Sequence, residues 1–234
     1  MQEIQREQIV EQVLAALSQL RQGEPELVEN QGEEMPIPVE ISARHVHLSQ
    51  ADVVALFGAP LTPLRELSQP GQFLCKERVR LIGLKGVMDN VAVLGPSREQ
   101  SQVEISLTDA RLLGLDVPIR QSGDIAGTPG ILLSSGKTII PLEQGVIVAG
   151  RHIHMSPEDA SRLRVRDKEF VAVHMRGKRP AVFRDVLVRV HESFKLALHI
   201  DADEANGCGC GPGTTCTIVL PKPQEQCHDG QPIH

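Results

Sequence analysis

Tryptophan and tyrosine are absent from this 234-residue chain, and phenylalanine occurs only five times. So few rings leave little on which bases could stack, and a net charge of −6 offers no basic surface for a phosphate backbone. Nucleic acid is therefore not an expected partner. No apolar run reaches the ~20 residues of a membrane-spanning helix, so no membrane partner is expected. The N-terminus lacks the basic-then-apolar order of a secretory signal. The cysteines (Cys75, Cys208, Cys210, Cys216 and Cys227) are an odd, uneven set that does not read as a secreted disulfide framework. These absences point to the cytosol, or to a body assembled inside it. An apolar fraction of 41% suffices for a core, and the length suits one large or two small domains.

What the chain does have is a phrase used twice. Arg44-His45-Val46-His47-Leu48-Ser49, with Asp52 after it, returns as Arg151-His152-Ile153-His154-Met155-Ser156, with Asp159 at the matching place. On a β-strand, residues i and i+2 share a face, so each His-x-His sets two imidazoles side by side where they can grip one metal ion. A single His-x-His is weak evidence, because many such pairs are ordinary strand residues. Two copies inside one longer repeated phrase argue for a duplicated metal-binding element.

Around these phrases the texture is mainly β. Short segments such as Val79–Leu84, Val87–Leu94, Val103–Leu107, Gly145–Ala149, Phe170–Val173, Ala181–Val190, Leu196–Ile200 and Thr215–Leu220 are separated by Gly and Pro. That pattern suggests barrels or sandwiches. Helical pieces follow some strands, at Ser49–Phe57, Thr108–Leu113 and Ser156–Leu163, and open with Ser or Thr and a nearby Asp. Strand followed by an acid-containing helix start appears four times, since Val103-Glu104-Ile105-Ser106 precedes Asp109 and Leu198-His199-Ile200 precedes Asp201 and Glu204. A pseudo-symmetric double barrel would bring such strand ends to a shared cleft. Upstream, residues 3–20 read as an amphipathic helix, with Ile4, Ile9, Val10, Val13, Leu14, Leu17 and Leu20 on one stripe. Residues 21–38, rich in Glu, Gly and Pro, read as a flexible linker. A short helix on a linker is marginal alone. It packs on its own domain, on a sister subunit in a homo-oligomer, or on a separate partner protein.

The candidate metal ligands are His45, His47, Glu104, His152, His154 and His199, enough for two zinc-like sites with open positions. His174 and His191 lack the repeated context and read as ordinary histidines; His228 and His234 fall in a polar tail. Cys208-Gly209-Cys210 is too tight for the usual zinc knuckle, so free thiols are expected, with Cys75 and Cys216 as small apolar residues. Arg98, six residues before Glu104, and Arg189, on an alternating strand, are candidates for holding a phosphate through paired hydrogen bonds. The small-residue loop Gln121–Gly130 has free backbone N–H groups that could bind an anion, but lacks the ending of a nucleotide P-loop.

Taken together these residues resemble the PduL-type phosphate acyltransferases (phosphate propanoyltransferases) of bacterial microcompartments. The resemblance rests on Ser42 to Ser49, Gly95-Pro96-Ser97-Arg98, Gln102 to Ser106, Gly150 to Ser156 and Leu198 to Asp201, and runs from about Val39 to Leu220. It implies two β-barrels with the first strand crossing to the C-terminal half: 39–44 with 150–220 as one barrel, 45–149 as the other, and 221–234 as a tail. It implies two zinc ions or other divalent metals, one on His45 and His47, the other on Glu104, His152, His154 and His199. Arg98 and Arg189 match the phosphate-handling arginines, with Gln102 and Ser122 near them, while Ser42, His199 and Asn206 fall where coenzyme A is contacted. It further implies that residues 3–20 are an encapsulation helix engaging the shell or core proteins of a microcompartment in the bacterial cytoplasm.

The reaction expected is acyl-CoA (propanoyl or acetyl) plus phosphate to acyl phosphate plus CoA, by direct attack of phosphate. No Ser-His-Asp or Cys-His signature argues for an acyl-enzyme. Two other readings fit the same residues: a zinc-dependent hydrolase with water as nucleophile, and a non-catalytic module with structural metals.

Overall fold

Alternation between the two faces of a strand organises the molecule. In the computed structural model, which describes residues 27–29 and 35–221, Val46 and Leu48 are fully buried in one core while His45 and His47 share the opposite face. Ile153 and Met155 do the same in a second core, with His152 and His154 on their other side. Each buried aliphatic side chain contributes about 1.5–3 kcal/mol. The apolar half of each phrase thereby anchors the strand that presents the imidazoles.

In chain order the elements are β1 (Leu27–Glu29), β2 (Ile37–Ser42), β3 (His45–Ser49), α1 (Gln50–Phe57), β4 (Pro63–Glu66), β5 (Phe73–Ile82), β6 (Val87–Arg98), β7 (Gln102–Glu104), α2 (Leu107–Leu113), β8 (Ile119–Arg120), β9 (Ile131–Ser134), β10 (Ile139–Leu142) and β11 (Val146–Ala149). They continue as β12 (His152–Met155), α3 (Pro157–Leu163), β13 (Phe170–Met175), β14 (Ala181–Val190), β15 (Ala197–Asp201), α4 (Ala202–Cys208) and β16 (Thr215–Pro221). One sheet runs β1-β16-β13-β14-β12-β15-β2, and pairing of β16 with β2 closes six of its strands into a barrel. The other runs β10-β9-β5-β6-β3-β7-β11-β8, with β4 on β5, and is a curled half-barrel. The mainly β fold with two related halves is thus as the sequence implied, but only one half closes. The end strands of the other, β10 and β8, are four and two residues long and do not pair with each other.

The chain crosses between the halves twice, and both crossings matter for function. β2 belongs to the barrel, where it runs parallel to β15; the next strand, β3, lies in the half-barrel between β6 and β7. β11 belongs to the half-barrel, parallel to β7; the next strand, β12, lies in the barrel between β14 and β15. Each crossing therefore ends on an Arg-His-x-His phrase, and the two phrases meet where the halves meet. The pairing is the same on both sides: β3 is parallel to β6 and antiparallel to β7, as β12 is parallel to β14 and antiparallel to β15.

Four short helices follow four strands. Ser49, Ser106, Ser156 and Asp201 are their N-caps, each accepting from the backbone N–H three residues on, and the last three form full capping boxes with Asp109, Asp159 and Glu204. These caps also brace the crossings. Arg44 makes a two-pronged contact with Asp109 at 2.9 and 2.7 Å, and Arg151 reaches Glu204 at 2.8 Å. In each case the arginine just before His-x-His is tied to the capping acid of a neighbouring helix.

Two parts of the expected organisation need separate comment. The helix expected at 3–20 lies outside the described residues, as does the tail after Pro221. Within the stretch expected as linker, Leu27–Glu29 pair with β16 and Ile37 is fully buried as the start of β2. The polar composition of 21–38 hid these apolar pieces. Among the described residues no helix is long and apolar enough to cross a membrane.

Candidate active site

The register of the paired strands assembles the site. His45 stands opposite Glu104 on β7, and His152 stands opposite His199 on β15. Two triads result, His45–His47–Glu104 and His152–His154–His199, in each of which the potential ligand atoms lie within 4.8 Å of one another. In the first, Glu104 carboxylate oxygens are 3.5 Å from His45 Nε2 and 4.0 Å from His47 Nε2. In the second, ring centroids are 4.7 to 5.1 Å apart, with His152 and His199 stacked. Glu104 therefore groups with the first pair, whereas the resemblance assigns it to the second. The reason is strand adjacency, since β7 lies directly beside β3. Its charge is nonetheless felt at His152 and His199.

The tautomers are set by the crossings. His45 Nδ1 lies 2.8 Å from the Ala43 carbonyl and His152 Nδ1 lies 2.9 Å from the Gly150 carbonyl, two residues back in both copies. A carbonyl only accepts, so Nδ1 donates and Nε2 keeps its lone pair for a ligand. Burial, the largest cause, pushes the pKa of His47 down to about 3, of His152 and His199 to about 4 and of His154 to about 2. Neighbouring positive charge from Arg189 adds to this at the last three. Neutral imidazole is the metal-binding form. His47 Nδ1, His154 Nδ1 and His199 Nε2 are buried without a hydrogen-bond partner. Such orphaned nitrogens are costly unless something binds them. At His47, Nε2 accepts from the Arg98 guanidinium in this arrangement, so Nδ1 carries the proton; the unpartnered nitrogens of His154 and His199 are of the chemistry that fits divalent metal ions.

Glu104 is the centre of a polar network. Gln102 Nε2 donates to its Oε1 at 2.5 Å, Ser122 Oγ donates to the same atom at 2.9 Å, and the Gly123 N–H fixes Gln102 by donating to its Oε1 at 2.7 Å. Burial pushes the Glu104 carboxyl up, but His45, His47, the Ser122 hydrogen bond and Arg98 outweigh it and hold the pKa below the ordinary value. Arg98 donates to Ser122 at 3.0 Å and contacts His47 Nε2 at 2.8 Å. Arg189 stands beside His154 in the β12–β14 register, and after burial its charge further disfavours the Arg98 cation.

A cavity of about 440 Å³ opens over all of this, lined by both triads, Arg98, Arg189, Ser122 and Ser42. Gln102 is buried behind the wall as a support for Glu104. Asn206, expected to meet coenzyme A, is exposed on α4 and does not line the cavity. His191 is exposed on the β14–β15 loop. Cys208 and Cys210 are free thiols with sulfurs 3.2 Å apart at the end of α4, outside both triads.

Several lining residues carried no readable signal. Glu40 faces His199 across the β2–β15 pairing, its Oε2 3.7 Å from His199 Nε2 and 2.5 Å from Ser68 Oγ. Gln69 is buried and Phe194 packs on His154. Only the strand pairing could have flagged Glu40; nothing local marks Gln69 or Phe194.

The family model for phosphate propanoyltransferase matches residues 38–211. The chain belongs to the phosphate propanoyltransferase family. The matched span holds every element from β3 to α4 and all of β2 but Ile37, and membership makes the chain a phosphate acyltransferase enzyme. Curated relatives agree. The phosphate propanoyltransferase of Leptotrichia buccalis is 58% identical over 182 residues, covering 77% of this chain and 86% of the relative. That of Sebaldella termitidis is 53% identical over 182 residues, with the same coverage. That of Alkaliphilus metalliredigens is 51% identical over 208 residues, 88% of this chain and 93% of the relative.

Proposed function

We propose that the cavity moves a propanoyl or acetyl group between coenzyme A and inorganic phosphate, with zinc or another divalent metal at each triad. The observation that carries this reading is the convergence of Arg98 and Arg189 on one cavity with two buried groups of metal-ligand character. A planar guanidinium holds phosphate through parallel hydrogen bonds, and two of them offset its charge.

A phosphate oxygen attacks the thioester carbonyl carbon, a C–O bond forms, the C–S bond breaks, and CoA leaves as the thiolate. Bound divalent ions would supply Lewis-acid polarisation of the carbonyl and stabilisation of the thiolate. The residues supply positioning. Arg98 is aimed by Ser122 and His47, and Arg189 by its place on β14 beside His154, so that phosphate is held near the carbonyl before reaction. Gln102 and Ser122 fix Glu104, which keeps the carboxylate turned toward His45 and His47. Ser42 and His199 line the cavity and would meet CoA there.

The same reading divides the chain into 39–44 with 150–220, 45–149, the segments 1–20 and 21–38, and the tail 221–234. Pairing of β2 with β15 and β16 supports the first grouping. Residues 3–20, amphipathic in sequence, would direct the enzyme to the shell or core of a microcompartment in the bacterial cytoplasm, where CoA would be recycled.

The test is CoA release from propanoyl-CoA and acetyl-CoA, with and without phosphate, before and after chelation. Release that needs phosphate and is lost on chelation is expected. Release indifferent to phosphate would establish a hydrolase instead. Release that survives removal of all bound metal would refute the metal-dependent reading.

A further inference from the structure

We infer that Phe194 forms the wall against which the acyl chain packs, and that Gln69 holds this wall in place from the other half of the molecule. The inference rests on the acyl-transfer reading above and names a determinant of its specificity.

Hydrocarbon near a cluster of imidazoles and arginines needs an apolar surface close to the reacting carbon. Phe194 is the single phenylalanine among the residues lining the cavity. Its ring centroid is 4.3 Å from that of His154, so it covers one side of the second triad. It is presented by the short loop between β14 and β15, where its N–H donates to the His191 carbonyl at 3.0 Å. A chain bonded to a carbonyl carbon that sits between the triads and the arginines meets this ring within a few atoms.

The ring's position is not set by its own half alone. Gln69, from the loop between β4 and β5 of the half-barrel, spends both ends of its carboxamide on the next residue. Its Nε2 donates to the Lys195 carbonyl at 3.0 Å, and its Oε1 accepts from the Lys195 N–H at 3.2 Å. Gln69 is only 4% exposed. Ser68 ties the same loop to the barrel a second time through Glu40. Leu67, from this loop, lines the same cavity and extends its apolar surface. The depth available to an acyl chain is thus fixed by a contact between the halves. Phe194 is the specificity determinant, and Gln69 is a positioning residue acting through it.

The experiment compares kcat/KM for acetyl-, propanoyl-, butanoyl- and hexanoyl-CoA at saturating phosphate, using the full chain and the variants Phe194→Ala, Phe194→Leu and Gln69→Leu. Phe194→Ala is expected to raise the hexanoyl-to-propanoyl ratio by about tenfold or more, because each methylene accommodated in an apolar pocket changes discrimination by about that factor. Phe194→Leu should shift it less, in the same direction. Gln69→Leu keeps bulk but leaves the Lys195 peptide groups unpaired, and should shift the ratio while metal content stays at the wild-type level. A purely structural role for Gln69 would lower all four substrates together and leave the ratio unmoved, which would overturn its part. Active Phe194 variants with the wild-type ratio would overturn the wall while leaving acyl transfer standing. A wild-type enzyme with no phosphate-dependent CoA release would bring down both.

Discussion

Replacing Arg98 by lysine tests the phosphate assignment while keeping the charge. The guanidinium now reaches Ser122 Oγ at 3.0 Å and His47 Nε2 at 2.8 Å and still has N–H donors facing the cavity. An ammonium is a single point on a flexible stem. It cannot span Ser122 and His47 and also present two parallel donors to phosphate. One hydrogen bond from a charged group contributes about 1.5–3 kcal/mol. Losing one such contact to the attacking phosphate should lower kcat/KM for phosphate roughly ten- to 150-fold. Arg98 is half-buried and its pKa is lowered mainly by that burial, so solvent offers little compensation for a misplaced donor. The assay is steady-state kcat/KM for phosphate at fixed propanoyl-CoA, with metal content measured on the same sample. Arg98→Lys with unchanged metal content and a value within threefold of wild type would refute the assignment of phosphate to Arg98. A drop accompanied by metal loss would show that Arg98 acts on His47 instead.

Arg44→Gln should destabilise the protein by about 1–3 kcal/mol, because Asp109, 4% exposed in its side chain, would lose its cationic partner. Combining it with Asp109→Asn should recover part of the loss, read as a non-additive shift in urea midpoint; simple additivity would mean that the pair does not couple. Chelation should lower the Tm and added zinc should restore it, since His154 Nδ1 and His199 Nε2 are buried without other hydrogen-bond partners; a Tm blind to both would argue against metal at these triads. The chelated protein should also lose stability as pH falls. Four site histidines have folded pKa values of about 2 to 4. Between the unfolded value near 6.5 and those values, only the unfolded chain takes up protons, so their contribution is flat above about pH 6.5 and turns against folding below it. A Tm constant from pH 7.5 to 5 would contradict this.

Much of the site was legible because its residues follow local rules. His-Val-His-Leu and His-Ile-His-Met carry ligands and core on alternate positions, and the structure places them on opposite faces accordingly. Ser followed three residues on by Asp announced α1 and α3, the start of α2 was placed at Thr108 rather than at its cap Ser106, and Asp201 with Glu204 announced α4. What escaped was long-range. Gln69 and Lys195 are 126 residues apart, and the Arg44–Asp109 pair spans 65. No period or motif encodes a contact between halves. The grouping of Glu104 depends on which strand lies beside β3, and the open edge of the half-barrel depends on two short end strands. Both are properties of sheet order, which the sequence shows only as a repeat.

The duplication explains why the site lies between the halves rather than inside either. A barrel interior filled with apolar side chains has no room for six polar groups, and both cores here are closed by such residues. A strand that has just crossed from one half to the other has one face on its new core and the other on the junction. Placing His-x-His there puts four imidazoles at the junction without removing one side chain from either core. The equivalent neighbouring strand then adds one more group on each side, and here the copies differ: Glu104 opposite His45, His199 opposite His152. That divergence puts a carboxylate inside one triad, while the other keeps three imidazoles and has Glu40 only beside it, 3.7 Å from His199 Nε2. Two like scaffolds thereby present two unlike sets of ligand atoms to one cavity.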